Sequence, residues 1–138
     1  MSDVEIEQLQ AIGRDGLPGT IGIEWEDVRI GYARAFVRLE RKHFAPNGFV
    51  HAGTLVTLAD SCCGFGCIAS RPEGAVNFTT IELKSNHLGT AREGTIVSRA
   101  TPVHLGKTTQ VWDAVVTHKE TGRTIALFRC TQLVIYPK

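Results

Sequence analysis

Residues 51–70 read HAGTLVTLADSCCGFGCIAS, and the architecture turns on them. Set on a wheel of 3.6 residues per turn, Leu55, Leu58, Ala59, Cys62, Gly66 and Ala69 share one stripe. A smaller group holds Val56, Asp60, Cys63 and Cys67. The spacing predicts a helix that is apolar on more than one side, as suits a rod buried by its own sheet and by a neighbour. Ser61, Gly64, Gly66 and Ala69 fit the close approach of another backbone. They also lower intrinsic helix propensity, so packing must hold the segment.

The flanks on both sides read as β-structure. Residues 20–28 and 32–39, separated by Gly31, alternate partly between apolar and polar and are expected to be half-buried strands. A loop with Pro46 and Gly48 leads from them to the helix. After Arg71-Pro72-Glu73-Gly74, strands are expected near residues 75–87, 94–104, 107–118 and 124–136. Leu105-Gly106 predicts a tight hairpin, and Lys119-Glu120-Thr121-Gly122 a hairpin loop with its glycine left-handed. Pro102, inside a strand, should mark an edge or a bulge. At the start, a short helix over 4–12 carries Val4, Ile6, Leu9 and Ile12 roughly on one side and ends at Gly13 and Gly16. The order β-β-α-β-β-β-β describes an α+β domain in which an antiparallel sheet wraps one long helix.

Length and composition bound the rest. The 138 residues make one domain, 1–138, large enough to bury a core without metal or disulfide staples. Apolar residues are 43% and charged residues 21%, which excludes disorder for the body of the chain. Lys and Arg number 15 against 14 Asp and Glu, and a net charge of +1 argues against a nucleic-acid partner. Cys62, Cys63, Cys67 and Cys130 form no CxxC pair, so buried free thiols in a reducing compartment are expected rather than a zinc site. The first ten residues are acidic and lack the basic start and apolar run of a signal peptide. The most apolar stretch, 52–70, has Asp60 at its middle and does not resemble a membrane span. A soluble, cytoplasmic protein is the expectation.

The densest chemistry lies in Asn47-Gly48-Phe49-Val50-His51-Ala52-Gly53, followed by Leu58-Ala59-Asp60. A carboxylate on a mostly apolar helix is costly unless paired, hydrogen-bonded or wetted by a cavity. A structural role is open to it, accepting bonds from Thr79, Thr80 or a backbone N–H. His51, at the helix entrance, equally suits a cap. Gly106-Lys107-Thr108 is like the end of a phosphate-binding loop, but Thr101 stands where GxxxxGK[ST] needs glycine, and that match is rejected.

These residues carry a family resemblance. The chain resembles the hot-dog-fold acyl-CoA thioesterases, in particular the group related to the phenylacetate-pathway thioesterase. That family's signature is His-Gly-Gly followed by Leu-Ala-Asp or Leu-Ala-Glu, the acid nine positions after the histidine. Here His51-Ala52-Gly53 and Leu58-Ala59-Asp60 stand at that spacing. Phe78-Thr79-Thr80-Ile81-Glu82-Leu83, Leu105-Gly106-Lys107-Thr108 and Thr121-Gly122-Arg123-Thr124-Ile125-Ala126 extend the likeness, which covers roughly residues 19–137. Two departures occur. Ala52 replaces the usual glycine, and Ala45 stands where many relatives have Asn or Gln six before the histidine, with Asn47 a substitute in a loop of different shape.

The resemblance implies hydrolysis of an acyl-CoA thioester, with coenzyme A part of the substrate and no metal or other cofactor. It assigns the oxyanion site to the Ala52 N–H, with Gly53 N–H beside it, and orientation of the loop or thioester to His51 and Asn47. Asp60 becomes general base or nucleophile, and Thr80 the holder of the water. Lys84, Arg92, Arg99, Lys107 and Thr108 become candidates for the coenzyme A phosphates. Asp60 lies about 12 Å along the helix from Ala52 at 1.5 Å per residue, too far for both to meet one carbonyl. Two antiparallel copies could bring them together, with the stripe of Val56, Cys63 and Cys67 supporting the pairing. The family accordingly implies a homodimer, or a dimer of dimers, with shared sites. A non-catalytic module that binds acyl-CoA or another acyl ligand is the competing reading. Hydration or dehydration of acyl thioesters would need a different signature, which is not found.

Overall fold

A computed structural model describes residues 3–138. Two N-terminal helices, α1 (Asp3–Gly13) and α2 (Leu17–Thr20), precede strands β1 (Glu24–Arg29) and β2 (Tyr32–Arg38). A 3-10 turn at Arg41–His43 leads to the long helix α3 (Ala52–Ala69). Strands β3 (Asn77–His87), β4 (Thr95–Leu105), β5 (Thr109–His118) and β6 (Thr124–Ile135) complete the chain. The expected order is therefore found, with one correction: the strand expected from residue 20 begins at Glu24, because residues 17–20 form a helical turn in which Pro18 fixes a helix-compatible φ.

The six strands form one antiparallel sheet in the order β1-β2-β4-β5-β6-β3. Alternation puts Ala33, Ala35 and Val37 of β2, Gln110, Trp112, Ala114 and Val116 of β5, and Ala126, Phe128, Cys130, Gln132 and Val134 of β6 inside. The concave face closes on α3, whose Leu55, Leu58, Ala59 and Cys62 are buried as the first stripe requires. By length and apolarity α3 is also long enough to cross a membrane, but its burial is that of a core helix. Pro102 lies at a bulge in β4, a central strand, which resolves the choice between edge and bulge.

The second stripe departs from expectation. Cys63 and Cys67 are buried, leaving only Val56 and Asp60 half-exposed, so this face is not an open surface for a second helix. Of the two edge strands, β1 and β3, the longer is β3, eleven residues with Ile81 and Leu83 exposed. A long edge of that kind offers free N–H and C=O groups to another strand.

The small residues of α3 also serve a different purpose from the one expected. A Cβ at Gly64 would stand 2.7 Å from the Phe78 ring, and one at Gly66 would stand 2.7 Å from the Trp112 ring. Aromatic side chains, not a neighbouring backbone, fill the space. The N-terminal helix is held by Gln10 as much as by its apolar side: Gln10 donates to the Ile23 carbonyl (2.8 Å) and accepts from Trp25 N–H (2.8 Å). Leu9 packs against the core, whereas Ile12 is 71% exposed; the side chain of Val4 lies outside the described residues.

These contacts rank two substitutions. Trp112 is fully buried and tethered to Gln110 Oε1 at 2.8 Å, so it cannot retreat from a new methyl group, while half-buried Phe78 can. Gly66→Ala should cost about 1–3 kcal/mol despite its gain in helix propensity, and Gly64→Ala distinctly less. Thermal unfolding of the two variants measures this, and an equal or reversed order would contradict the packing.

Candidate active site

The N-terminus of α3 is built by a small hairpin. Phe44 and Val50 form an isolated antiparallel bridge, Ala45 N–H donates to Phe49 C=O (2.7 Å), and Gly48 takes φ +89°, a conformation that favours glycine. His51 then caps the helix: its Nδ1 accepts from Gly53 N–H at 2.7 Å, and its carbonyl accepts from Thr54 N–H at 2.9 Å. That geometry separates the two candidate donors. Gly53 N–H is committed to His51, which corrects its assignment beside Ala52. The Ala52 N–H has no hydrogen-bond partner among the described residues, at the positive end of an eighteen-residue helix. With Nδ1 accepting, the neutral His51 ring carries its proton on Nε2.

Three residues that the sequence did not disclose hold this entrance. Buried His43 accepts from Glu40 N–H through Nδ1 (2.8 Å) and reaches the Ile21 carbonyl through Nε2 (2.6 Å). Its own carbonyl accepts from His51 N–H (2.9 Å) and from the Thr54 hydroxyl (3.0 Å). Thr90 Oγ1 accepts from Val50 N–H (3.0 Å). No periodicity or motif marks such loop-to-loop bonds. A cavity of about 380 Å³ opens beside Ala52, lined by Phe49, Leu55, His87 and Thr90 among others. Asn47 is not among its lining residues; it is exposed at the hairpin tip, with Oδ1 accepting from Phe49 N–H at 3.2 Å within its own turn. The structure does not bring it to Ala52.

Asp60 lies on α3 facing β3. Its Oδ1 accepts from the Thr80 hydroxyl at 2.9 Å, while Oδ2 has no partner among the described residues. Thr80 points inward and Thr79 outward, as strand alternation requires, and a bulge follows Thr80. Burial of Asp60 pushes its carboxyl above the usual carboxylate range, opposed in part by the Thr80 hydrogen bond. Along the helix from Asp60, Phe65, Ile68 and Ala69 join Phe78, Val28 and α1 around an apolar cavity of about 520 Å³. Phe65 is itself held flat against Trp25, with centroids 4.2 Å apart.

The three cysteines of α3 offer no competing nucleophile. Burial raises Cys62 to about 12 and Cys67 to about 11, and raises Cys63 as well, so the thiolate that attacks an acyl carbon is scarcely formed.

The five phosphate candidates are not gathered in one protomer. Arg92 lies in the loop before β4 and Lys107 and Thr108 in the hairpin after it, separated by an eleven-residue strand of roughly 35 Å. Thr90 ties the first end to the N-terminus of α3, while Gln110 donates to Ser70 C=O (3.1 Å) at the other. Arg99 bonds Thr117 Oγ1 (3.3 Å), and Lys84 lines a third cavity beside the Asp113–Arg129 ion pair.

The strain on Asp60 has a thermodynamic signature. Its folded-state pKa stands above the unfolded value near 3.8, so the folded chain binds the extra proton between the two and stability falls as pH rises through that window. Asp60→Asn should therefore melt above the wild type at pH 7, by roughly 3–5 °C, with the gap closing as pH approaches 4. A variant less stable than wild type at pH 7 would show that the carboxylate supports the fold.

Comparison with known proteins identifies the family. Residues 47–126 match the thioesterase superfamily. The chain is 34% identical to a 1,4-dihydroxy-2-naphthoyl-CoA hydrolase of Listeria monocytogenes, over 84% of this chain and 93% of that one. It is 29% identical to the enzyme of the same name from Escherichia coli, over 96% of each. A crystal structure of a thioesterase from Haemophilus influenzae superimposes with a TM-score of 0.87 at 26% identity, covering 95% of this chain and 90% of that one. The chain belongs to the thioesterase superfamily: it is a thioester hydrolase on the hot-dog fold.

Proposed function

We propose that the substrate is an acyl-CoA and that the thioester is cleaved between Asp60 of one copy and the Ala52 N–H of a second. The observation that carries this is Asp60 itself, a half-exposed carboxylate inside an apolar wrap with one oxygen bound to Thr80 and the other free. The Ala52 N–H, free at the helix terminus, polarises the carbonyl, and the His51 Nε2–H lies on the neighbouring residue. Asp60 either takes a proton from a water that attacks the carbonyl carbon, or attacks that carbon itself to give a mixed anhydride that water then hydrolyses. On either route the C–S bond breaks and the departing coenzyme A thiolate takes up the proton. Thr80 orients the carboxylate through its hydroxyl.

The exposed edge of β3 supports the shared site. Antiparallel pairing of two β3 edges reverses the second helix, so that its N-terminus comes towards the Asp60 half of the first. The same reversal carries the partner's hairpin of Lys107 and Thr108 to the end where Arg92 lies, which gives those three a common set of phosphates. Lys84 and Arg99 stay on the outer sheet face. A dimer of dimers is the larger assembly expected of such a family. The cytoplasm, where acyl-CoA is made and thiols stay reduced, is the proposed compartment.

The acyl group proposed is a flat aromatic one. The apolar cavity beyond Asp60 presents Phe65 and Phe78, and two relatives are named for a naphthoyl-CoA substrate. The likeness to the phenylacetate-pathway group, carried by Leu58-Ala59-Asp60 in register with His51, points to the same aryl class.

Release of free thiol from a panel of aryl and aliphatic acyl-CoAs is the direct assay. Aryl thioesters should exceed short aliphatic ones at least tenfold in kcat/KM, and Asp60→Asn should lose about 10²–10⁴ in kcat. Ala52→Pro deletes one N–H at a helix position that tolerates proline, after a residue whose φ −62° and ψ 135° already suit it. It should fold normally and lose about 10²–10³ in kcat. Tight binding without thiol release would favour a carrier or sensor instead.

A further inference from the structure

The hydrogen bonds around Asp60 contain one more polar group than orientation requires. Thr80 Oγ1 lies 2.9 Å from Asp60 Oδ1 and 2.8 Å from the side-chain amide of Gln132. A hydroxyl has one proton and cannot donate to two acceptors. Gln132 is fully buried on the inner face of β6, directly opposite Thr80 in the sheet, and the other end of its amide lies 3.3 Å from Cys130 Sγ. A buried amide in a core strand is costly unless both ends are satisfied.

Two arrangements let Thr80 donate one hydrogen bond and accept another, and they differ by a half-turn of the Gln132 amide. With Asp60 ionised, Gln132 N–H donates to Thr80, Thr80 donates to Asp60, and the Gln132 carbonyl accepts from the Cys130 thiol. With Asp60 protonated, the carboxyl donates to Thr80, Thr80 donates to the Gln132 carbonyl, and Gln132 N–H faces the Cys130 sulfur. A group that takes up a proton during turnover and must release it again passes through both states.

We infer that Gln132 is a positioning residue whose buried amide, by turning over, keeps Thr80 bonded to Asp60 in both of its protonation states. It touches no substrate and acts only through Thr80. This rests on the proposed role of Asp60 as the proton acceptor. The titratable groups around Asp60 are Cys63 on α3 and Cys130 on β6, both buried thiols. Among the described residues no cation or second carboxylate acts on Asp60, so the amide is the only polar group in reach of Thr80 that can follow its charge.

The test uses the 138-residue chain with a thiol-release assay over pH. Gln132→Glu replaces the donor end of the amide with a second acceptor, which draws the Thr80 proton away from Asp60. The acid limb of the kcat profile should move up by at least half a pH unit. Gln132→Met, similar in shape but without hydrogen bonds, should lower kcat about 5- to 50-fold with KM within twofold. Should Gln132→Met not fold, the Gln132→Glu profile decides alone. Asp60→Asn runs beside them. If it is inactive while the Gln132 variants keep the wild-type acid limb, the inference fails and the hydrolase reading stands. If Asp60→Asn is itself fully active, the proton-acceptor role fails and the inference goes with it.

Discussion

A carboxylate placed in an apolar wrap is the constraint around which the molecule is organised. Asp60 sits between a helix and a sheet, its charge disfavoured by burial and relieved by a single hydroxyl. An uncharged residue at that position would make the core cheaper to fold. The chain instead keeps the acid and surrounds it with polar groups that follow its protonation: Thr80 across the gap and Gln132 behind. Stability given up at such a position is the usual counterpart of chemistry.

Such a group is useful only if its helix is fixed in rotation and depth. Sheet residues do this on one side, with Ala33 and Ala35 small enough to admit the helix and Trp112 seated against Gly66. At the N-terminus the work falls to polar staples: the His43 carbonyl receives His51 and Thr54, and Thr90 receives Val50. They hold the end where the Ala52 N–H is left free. The same packing buries the thiols of α3, and that burial pushes Cys62, Cys63 and Cys67 above the ordinary thiol range.

The fold was largely legible because its signals are local and periodic. Helical spacing over 51–70 and alternation through the later strands lie in the sequence itself, and Leu-Ala-Asp in register with His51 located the acid. What escaped was long-range or compensated. The second stripe of α3 looked like an outer surface because nothing in Cys63 or Cys67 says that β6 already covers them. Asn47 looked available, yet a turn with Gly48 at positive φ draws its oxygen back onto its own backbone. His43 and Gln132 left no trace: each acts through partners that the topology brings near, one across a loop and one across a sheet. The proposed gathering of phosphate contacts needs two chains, and no single sequence displays it.

A shared site requires that reactive parts from separate copies make one centre. Subunits carrying Asp60→Asn can be mixed in equal amounts with subunits carrying Ala52→Pro, refolded together and assayed for thiol release. Half of the resulting dimers then pair the two defects, and each of these has one site with both groups intact, so about a quarter of wild-type activity should return. If mixed dimers form and no activity returns, the two groups belong to different chemistry.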